Sequence, residues 1–198
     1  VMEAPGGVGG GRAVGGGEAV GVPVGCGGPY LGCMAGDEKM TGRLPGRIVG
    51  ETTDLNGKRC CVLTMQAREQ DIRREKAGSN ICSNEALCAL TAGVYLAAMG
   101  PEGLRKTALA CRAKAHYLCD RLEEAGLKPV YRRPFFHEFV TESSSQAQAE
   151  AILKALDAGD ILGGLPLGGG RLLWCATEMN TREEMDRVAG TVREVLAG

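Results

Sequence analysis

Residues 135–159 read FFHEFVTESSSQAQAEAILKALDAG and contain the clearest change of periodicity in the chain. Bulky and β-branched residues dominate Phe135–Thr141, which predicts a β-strand. Ser145-Gln146-Ala147-Gln148 then forms a capping box, and apolar residues at helical spacing continue to Gly159. A strand that leads directly into an amphipathic helix predicts an α/β unit.

The same order recurs downstream. Arg171–Thr177 predicts another strand, and Thr181-Arg182-Glu183-Glu184 is a second capping box that opens a helix with a stripe of apolar residues. Val130 adds a short extended segment before the first strand. Two strand-helix units predict a sheet covered on one face. We assign residues 127–198 to a small C-terminal α/β domain.

Two helices are predicted upstream of this domain. Residues 83–99 are apolar nearly all round, with Ser83 as N-cap and Gly100 as stop, and this predicts a buried helix. Pro101 opens a second helix, which ends at Gly126 and connects the two parts of the chain. The residues expected to face its core are Leu104, Ala108, Cys111, Ala115, Leu118 and Leu122.

Glycine and turn residues organise the first part of the chain. Fourteen of the 31 glycines fall within residues 1–36, and residues 1–20 offer too little apolar surface to offset the entropy of ordering, so we expect disorder there. Residues 47–53 and 58–64 are extended runs around Asn56-Gly57, which predicts a β-hairpin.

Composition excludes several classes of function. The 198 residues carry a formal net charge of −1, which gives no general attraction to nucleic acid. No uninterrupted apolar run reaches the roughly 18 residues of a membrane span, and no signal peptide is recognisable. The nine cysteines lack a disulfide-type spacing, so we expect a reduced, cytoplasmic protein.

Short chemical motifs are missing as well. No G-x-G-x-x-G, P-loop, H-E-x-x-H or C-x-x-C pattern occurs, so no metal site is predicted. The two histidines, His116 and His137, are interpreted as packing or surface residues, and the cysteines as structural.

A polar segment interrupts this pattern at residues 65–83, MQAREQDIRREKAGSNICS. Helix over 66–76 would have polar residues on every side, so it is either solvated or lines a polar interface. Residues 39–76 hold nine Lys/Arg against five Asp/Glu. Arg68, Arg73 and Arg74 are therefore candidate anion ligands, although a charged face held by pairs such as Glu69 to Arg73 explains them too.

Several blocks in order resemble the glycine decarboxylase family, the P protein of the glycine cleavage system. The blocks are Gly27-Gly28-Pro29-Tyr30-Leu31-Gly32, Pro45-Gly46-Arg47-Ile48-Val49-Gly50, Gln66-Ala67-Arg68-Glu69-Gln70, Ile72-Arg73-Arg74-Glu75-Lys76-Ala77, Ser79-Asn80-Ile81-Cys82, Phe136–Val140, Gly163-Gly164, Cys175-Ala176-Thr177-Glu178 and Asn180-Thr181. Cys26 departs from the family's pattern by replacing an aromatic residue, Asp71 a histidine and Gly78 a threonine.

The resemblance implies an α/β protein of the aspartate-aminotransferase fold (fold type I), in which residues 21–100 would be the end of the large cofactor-type domain. It further implies a subunit of glycine dehydrogenase (aminomethyl-transferring), which decarboxylates glycine and passes the aminomethyl group to the lipoyl arm of the H protein. Pyridoxal phosphate serves that reaction as an electron sink.

The resemblance also implies which subunit this is. Aligning Pro23 and Pro29 on two family prolines puts Glu18 at the position of the Schiff-base lysine, and a carboxylate forms no imine. This chain would then be part of the subunit without the lysine, inactive alone, and a lysine-bearing sister subunit would hold the cofactor. The site residues implied on this chain are Arg68, Arg73, Arg74, Gln70 and Asn80 as anion-binding or interface residues, and Gly27, Gly28 and Tyr30 in a glycine turn.

Two alternatives stay open. The chain could be a non-catalytic structural or assembly partner of a pyridoxal-phosphate enzyme, or it could belong to a different enzyme of the same fold.

Overall fold

A computed structural model describes residues 5–23, 25, 28–44, 47–64, 67, 69–77 and 85–198. The chain divides into two compact units, residues 2–99 and residues 100–198. Each unit is described in turn.

The N-terminal unit opens with a two-stranded antiparallel sheet. Strand β1, Arg12–Gly16, pairs with β2, Gly32–Gly36. The predicted disorder of residues 1–20 is therefore wrong for residues 12–16. Pairing with β2 satisfies the backbone N–H and C=O groups of this glycine-rich segment, and the presence of a partner strand is not visible in local composition.

The predicted β-hairpin is confirmed. Strands β3, Ile48–Thr53, and β4, Arg59–Thr64, pair in antiparallel register. Gly57 has a φ of +76°, as the turn requires. The side chain of Asp54 also stabilises the turn, since its Oδ1 accepts hydrogen bonds from the backbone N–H of Asn56 and of Lys58, both at 2.8 Å.

The predicted helix over residues 66–76 is much shorter in the structure. Helix α1 covers Gln70–Arg73, and a 3-10 turn follows over Arg74–Lys76. Residues 65, 66 and 68 lie outside the described residues. A segment with polar residues on every side gains little from packing, and Ile72 is 54% exposed. Arg74, with a φ of 51°, ends the helix.

Helix α2 extends over Ala86–Glu124 but departs from helical geometry at Gly100, where φ is 61° and ψ is 177°. The predicted break before Pro101 is thereby confirmed, while Ser83 lies outside the described residues. The predicted burial of the first part is wrong in this chain: Leu87, Leu90 and Val94 are 76%, 63% and 62% exposed. Apolar residues on all sides need cover on all sides, and Cys88 and Ala92 are the only fully buried residues among the described residues 85–99.

By length and composition alone, helix α2 is long and apolar enough to cross a membrane, and 11% of its most apolar 18-residue stretch is buried. The apolar residues before the break at Gly100, residues 86–99, span about 21 Å at 1.5 Å per residue, against a hydrocarbon core of about 30 Å. An 18-residue stretch that includes them therefore also includes the break. The expectation that the chain has no membrane span stays a prediction.

We expect the isolated chain to self-associate through this exposed part of α2. Leu87, Leu90 and Val94 recur at helical spacing and present one apolar face to solvent. Light scattering should show species larger than a monomer, and the double substitution Leu90→Lys with Val94→Lys should reduce them. Leu55→Lys, at a fully exposed turn residue, serves as the control. A soluble monomer with a sharp thermal transition would contradict the prediction.

The C-terminal unit is a four-stranded antiparallel sheet with two further helices. Strands β5, Lys128–Pro129, β6, Glu138–Glu142, β7, Leu165–Gly168, and β8, Arg171–Cys175, lie in the order β5-β6-β8-β7. Helices α3 and α4 cover Gln146–Ala158 and Arg182–Ala197. Strand β7 was not predicted, because Leu165–Gly168 lacks strand-type residues beyond two leucines.

The predicted cover on one face of this sheet is confirmed by the alternation of burial. Phe139, Thr141, Leu172 and Trp174 are buried, whereas the residues between them are partly or fully exposed. The indole Nε1 of Trp174 donates to Thr141 Oγ1 at 2.8 Å, so the one buried polar side chain among the described residues has a partner.

The core continues into the second part of α2. Of the predicted stripe, Cys111, Ala115, Leu118 and Leu122 are buried. Tyr117 Oη donates to Asp186 Oδ1 at 2.6 Å, and Arg121 Nε donates to the same oxygen at 2.9 Å, which ties α2 to α4. The Tyr117 hydroxyl lowers the pKa of Asp186, with Arg121 adding to the shift, so this carboxylate stays charged.

Both capping boxes begin the predicted helices. Thr181 Oγ1 accepts from the backbone N–H of Glu184, and the Glu184 side chain accepts from that of Thr181. Ser145 Oγ likewise accepts from the backbone N–H of Gln148, but Gln148 Oε1 accepts from the backbone N–H of Ser144 instead. The box at Ser145 is therefore displaced by one residue, because its return bond goes to Ser144 instead of Ser145.

Gly164→Ala is expected to destabilise the chain by about 1 to 3 kcal/mol. A methyl group at Gly164 would lie 2.8 Å from the carbonyl oxygen of Leu173 and 3.2 Å from the Trp174 ring. Gly190→Ala is the matched control, since nothing lies within 4 Å and a helical alanine should stabilise by about 0.5 to 1 kcal/mol. Urea titration measures both variants, and equal behaviour would contradict the prediction.

Candidate functional site

Glu18, the residue at the implied lysine position, lies in an ordered turn that follows β1. The backbone N–H of Val22 donates to its carbonyl oxygen at 3.2 Å, and the N–H of Gly17 donates to the carbonyl of Leu31 at 2.6 Å. Glu18 is half-buried, and its carboxylate lies over Gly16, where a methyl group would collide with Oε2. The turn therefore holds a carboxylate at this position.

The predicted glycine turn is only partly described. The backbone N–H of Gly28 donates to the carbonyl of Gly25 at 2.9 Å, and a side chain on Gly25 would approach the Gly28 Cα to 3.1 Å. Two glycines facing each other allow this close approach. Gly27 lies outside the described residues, and Tyr30 is 53% exposed.

The polar segment brings three of the predicted site residues together. Gln70, Arg73 and Arg74 belong to one helical turn and its end, and the carbonyl of Gln70 accepts from the backbone N–H of Arg74. Arg73 Nε donates to the carbonyl of Ala67 at 2.7 Å, so one of its five donors is engaged. Arg68 and Asn80 lie outside the described residues. Arg73 and Arg74 are both exposed.

A small cavity of about 200 Å³ lies beside α1 and is lined by Arg47, Leu63, Thr64, Glu69 and Asp71. The predicted residues Gly28, Tyr30, Arg73 and Arg74 are not among its lining residues, so the structure does not bring the two predicted groups into this cavity. Arg47 was not predicted as a site residue. Its position in the block Pro45–Gly50 was the signal that could have found it.

The lining contains one arginine and two carboxylates, with a formal net charge of −1. Such a lining suits a small ligand carrying both charges better than a simple anion. Asp71, the residue that departs from the family's histidine, contributes one of the two carboxylates.

The block 175–181 forms a fixed turn between β8 and α4. The backbone N–H of Thr177 donates to Asn180 Oδ1 at 2.9 Å, and Cys111 Sγ lies 3.0 Å from Glu178 Oε2, to which it donates. Lys114 Nζ donates to the Glu178 carbonyl. These bonds give the block a structural role.

Cys111 and Cys119 are poor nucleophiles. Burial, with Glu178 adding to it, raises the pKa of Cys111, and burial raises the pKa of Cys119 to about 11. Both thiols are protonated near neutral pH, which agrees with the structural role predicted for them.

The two histidines differ. His116 stacks on Phe135 with ring centroids 4.0 Å apart, and its Nε2 lies 3.1 Å from the Phe135 carbonyl, so its predicted packing role is confirmed. His137 Nδ1 is buried and has no hydrogen-bond partner among the described residues. Packing alone does not account for that nitrogen.

Comparison with known proteins gives one consistent result. A family model described as glycine cleavage system P-protein matches residues 1–192. A probable glycine dehydrogenase (decarboxylating) subunit 1 from Moorella thermoacetica is 50% identical, with 100% of this chain and 46% of the relative covered. The protein of the same name from Desulfitobacterium hafniense is 45% identical, with 98% and 45% covered.

Solved structures give the same picture. The crystal structure of glycine decarboxylase (P-protein) of the glycine cleavage system, in inhibitor-bound form, superposes with a TM-score of 0.88 at 42% identity, covering 98% of this chain and 45% of that chain. A C-DES mutant with glycine covalently linked to the PLP cofactor has a TM-score of 0.54 at 13% identity, covers 85% and 43%, and shares the fold alone. The chain thus spans about half the length of the relatives it matches.

Proposed function

The chain belongs to the glycine cleavage system P-protein family and has part of the α/β fold type I of pyridoxal-phosphate enzymes, and we propose that it acts in the non-lysine subunit of glycine decarboxylase. In that role it contributes to glycine dehydrogenase (aminomethyl-transferring), which decarboxylates glycine and transfers the aminomethyl group to the lipoyl arm of the H protein. The observation that carries the proposal is 50% identity to a subunit 1 protein over the full length of this chain.

Glu18 supports the assignment to the subunit without the lysine. Its carboxylate occupies the ordered turn where the resemblance places the Schiff-base lysine, and a carboxylate forms no imine. The residues present therefore do not fit covalent attachment of pyridoxal phosphate at this position. We assign the covalent attachment to a lysine-bearing sister subunit, and the isolated chain is inactive in this proposal.

The surface of the N-terminal unit supports a partner. Leu87, Leu90 and Val94 form an exposed apolar face, and Arg73 and Arg74 are exposed nearby in sequence. Exposed apolar faces of this kind are typical of surfaces that another protein covers. We propose a cytoplasmic location, which the free state of all seven described cysteines supports.

Co-expression with a lysine-bearing sister subunit tests the proposal. The purified pair should exchange carbon dioxide with the carboxyl group of glycine when H protein is present, whereas each chain alone should not. Omitting H protein is the control for its role. A co-purified pair without exchange would support the structural or assembly partner instead, and failure to co-purify would contradict both.

We expect no covalent attachment of pyridoxal phosphate to this chain at a defined lysine. Borohydride reduction in the presence of the cofactor, followed by peptide mass spectrometry, should give no stoichiometric adduct on this chain and one on the sister. Glu18→Lys is the informative variant, since it introduces an amine at that position. A stoichiometric adduct on one native lysine, such as Lys39 or Lys76, would overturn the prediction.

A further inference from the structure

Three side chains that the proposed function does not use meet at one end of the strand pair β6-β8. Glu138 and Cys175 are directly opposite each other in the antiparallel register. His137 immediately precedes β6. A nitrogen of its ring, a carboxylate oxygen of Glu138 and the Sγ of Cys175 all lie within 4.8 Å of one another.

The backbone fixes His137 at this position. Its carbonyl oxygen accepts from the backbone N–H of Ala176 at 3.1 Å, one residue beyond the end of β8. The Phe136 ring meets the imidazole edge to face, with centroids 4.6 Å apart at 85°. The ring is thus held in place by its neighbours, while its buried Nδ1 has no hydrogen-bond partner among the described residues.

A buried polar atom without a partner is costly and calls for an explanation. Nitrogen, carboxylate oxygen and thiolate sulfur are the ligand types that Zn²⁺ takes, at bond lengths that place neighbouring ligand atoms roughly 3 to 4 Å apart. With the His137 ring fixed, rotation of the exposed Glu138 and Cys175 side chains would bring atoms already within 4.8 Å of one another to that spacing. We propose that His137, Glu138 and Cys175 form a binding site for a zinc-type divalent cation.

The exposure of the three residues suits an exchangeable ion. Glu138 and Cys175 are exposed, so a cation can enter from solvent without local unfolding. Both also line a cavity of about 600 Å³, together with Asn180 and Glu184 from the segment that begins α4. Three protein ligands leave the fourth position of a tetrahedral site open to water from this cavity.

The charges favour a cation as well. No described residue forms an ion pair with Glu138. Partial burial raises the pKa of the Cys175 thiol, and the negative charge of Glu138 adds to the shift. A divalent ion would neutralise both groups at once. The site differs from the sequence-based expectation of no metal because strand pairing brings Cys175 beside residues far away in the chain.

Cobalt substitution tests the site in the full chain, kept reduced with a non-thiol reductant. One equivalent of Co²⁺ should produce the near-ultraviolet charge-transfer band of a thiolate bound to cobalt, and added Zn²⁺ should remove it. Cys175→Ser should abolish the band. Cys61→Ser is the matched control, because Cys61 is also an exposed strand cysteine directly opposite a glutamate, Glu51, in a pair whose glutamate is bound by Arg59.

His137→Asn and Glu138→Gln should each weaken Co²⁺ binding by about 10- to 100-fold. Absence of the band in the parent chain, its persistence in Cys175→Ser, or its loss in Cys61→Ser would overturn the proposal. These results do not bear on glycine exchange.

Alkylation gives a second measurement that needs no variant. Zn²⁺ should slow the reaction of Cys175 with iodoacetamide at least tenfold while leaving that of Cys61 unchanged, as mapped by peptide mass spectrometry. Equal rates for Cys175 with and without Zn²⁺ would overturn the proposal.

Discussion

Leu122→Ala is expected to lower the free energy of unfolding by about 2 to 5 kcal/mol. Leu122 is fully buried in the core of the C-terminal unit, where it is grouped with residues of the sheet and of α3 and α4 such as Leu172, Ile152 and Val192. Truncation removes apolar contacts and leaves a cavity that these close-packed neighbours fill only in part. The loss is a large share of the 5 to 15 kcal/mol by which domains are typically stable.

Trp174 makes the measurement direct. It is the only tryptophan of the chain and is 4% exposed in the same core, so its fluorescence reports unfolding of this unit in urea. Leu109→Ala is the matched control: it lies on the same helix but is 37% exposed, and its effect should be clearly smaller, about 1 kcal/mol or less. Equal midpoints for the two variants would show that the core is not packed as described.

The sequence predicted the C-terminal unit well because its signals are local. The capping residues Ser145 and Thr181 begin α3 and α4, and the break at Gly100 follows from a glycine before a proline. The apolar spacing of α2 identified Ala115 and Leu122, both fully buried. In each case a few neighbouring residues determine the backbone, so pattern and structure agree.

The predictions differ from the structure where contacts between residues far apart in the sequence determine the structure. Residues 12–16 are a strand because β2 pairs with them, and nothing in their own composition signals that partner. The burial expected for residues 86–99 followed from their apolar character, yet burial depends on what lies beside a helix. The same holds for His137 and Cys175, which only the register of β6 and β8 brings together.

The candidate site shows the same contrast between residues that the local sequence identifies and residues that only the folded structure brings together. Glu18 could be predicted because the resemblance aligns it on two prolines, and the arginines because they cluster in sequence. Arg47 and Asp71 line one cavity although they lie 24 residues apart in the sequence, so their association could not be predicted from spacing.

In the assembled complex with the sister subunit, Arg73→Ala and Arg74→Ala are each expected to lower the rate of glycine and carbon dioxide exchange by about ten- to a hundredfold. Each exposed guanidinium has donors to spare for an anion across the subunit boundary, and loss of such a charge-assisted hydrogen bond costs roughly 1.5 to 3 kcal/mol. Neither side chain is buried, so the melting temperature should stay near that of the parent, with a stability change of about 0.5 kcal/mol.

Arg59→Ala is the control for a general change in surface charge. Arg59 is similarly exposed, but its guanidinium is bound by Glu51 at 2.6 Å within the hairpin, so exchange should stay near the parent rate. Exchange per assembled complex and the assembled fraction, from gel filtration, should be measured together. Loss of assembly in the Arg73 and Arg74 variants, with normal exchange in the complexes that remain, would assign these arginines to the interface, because an anion contact in the reaction affects the rate within each complex.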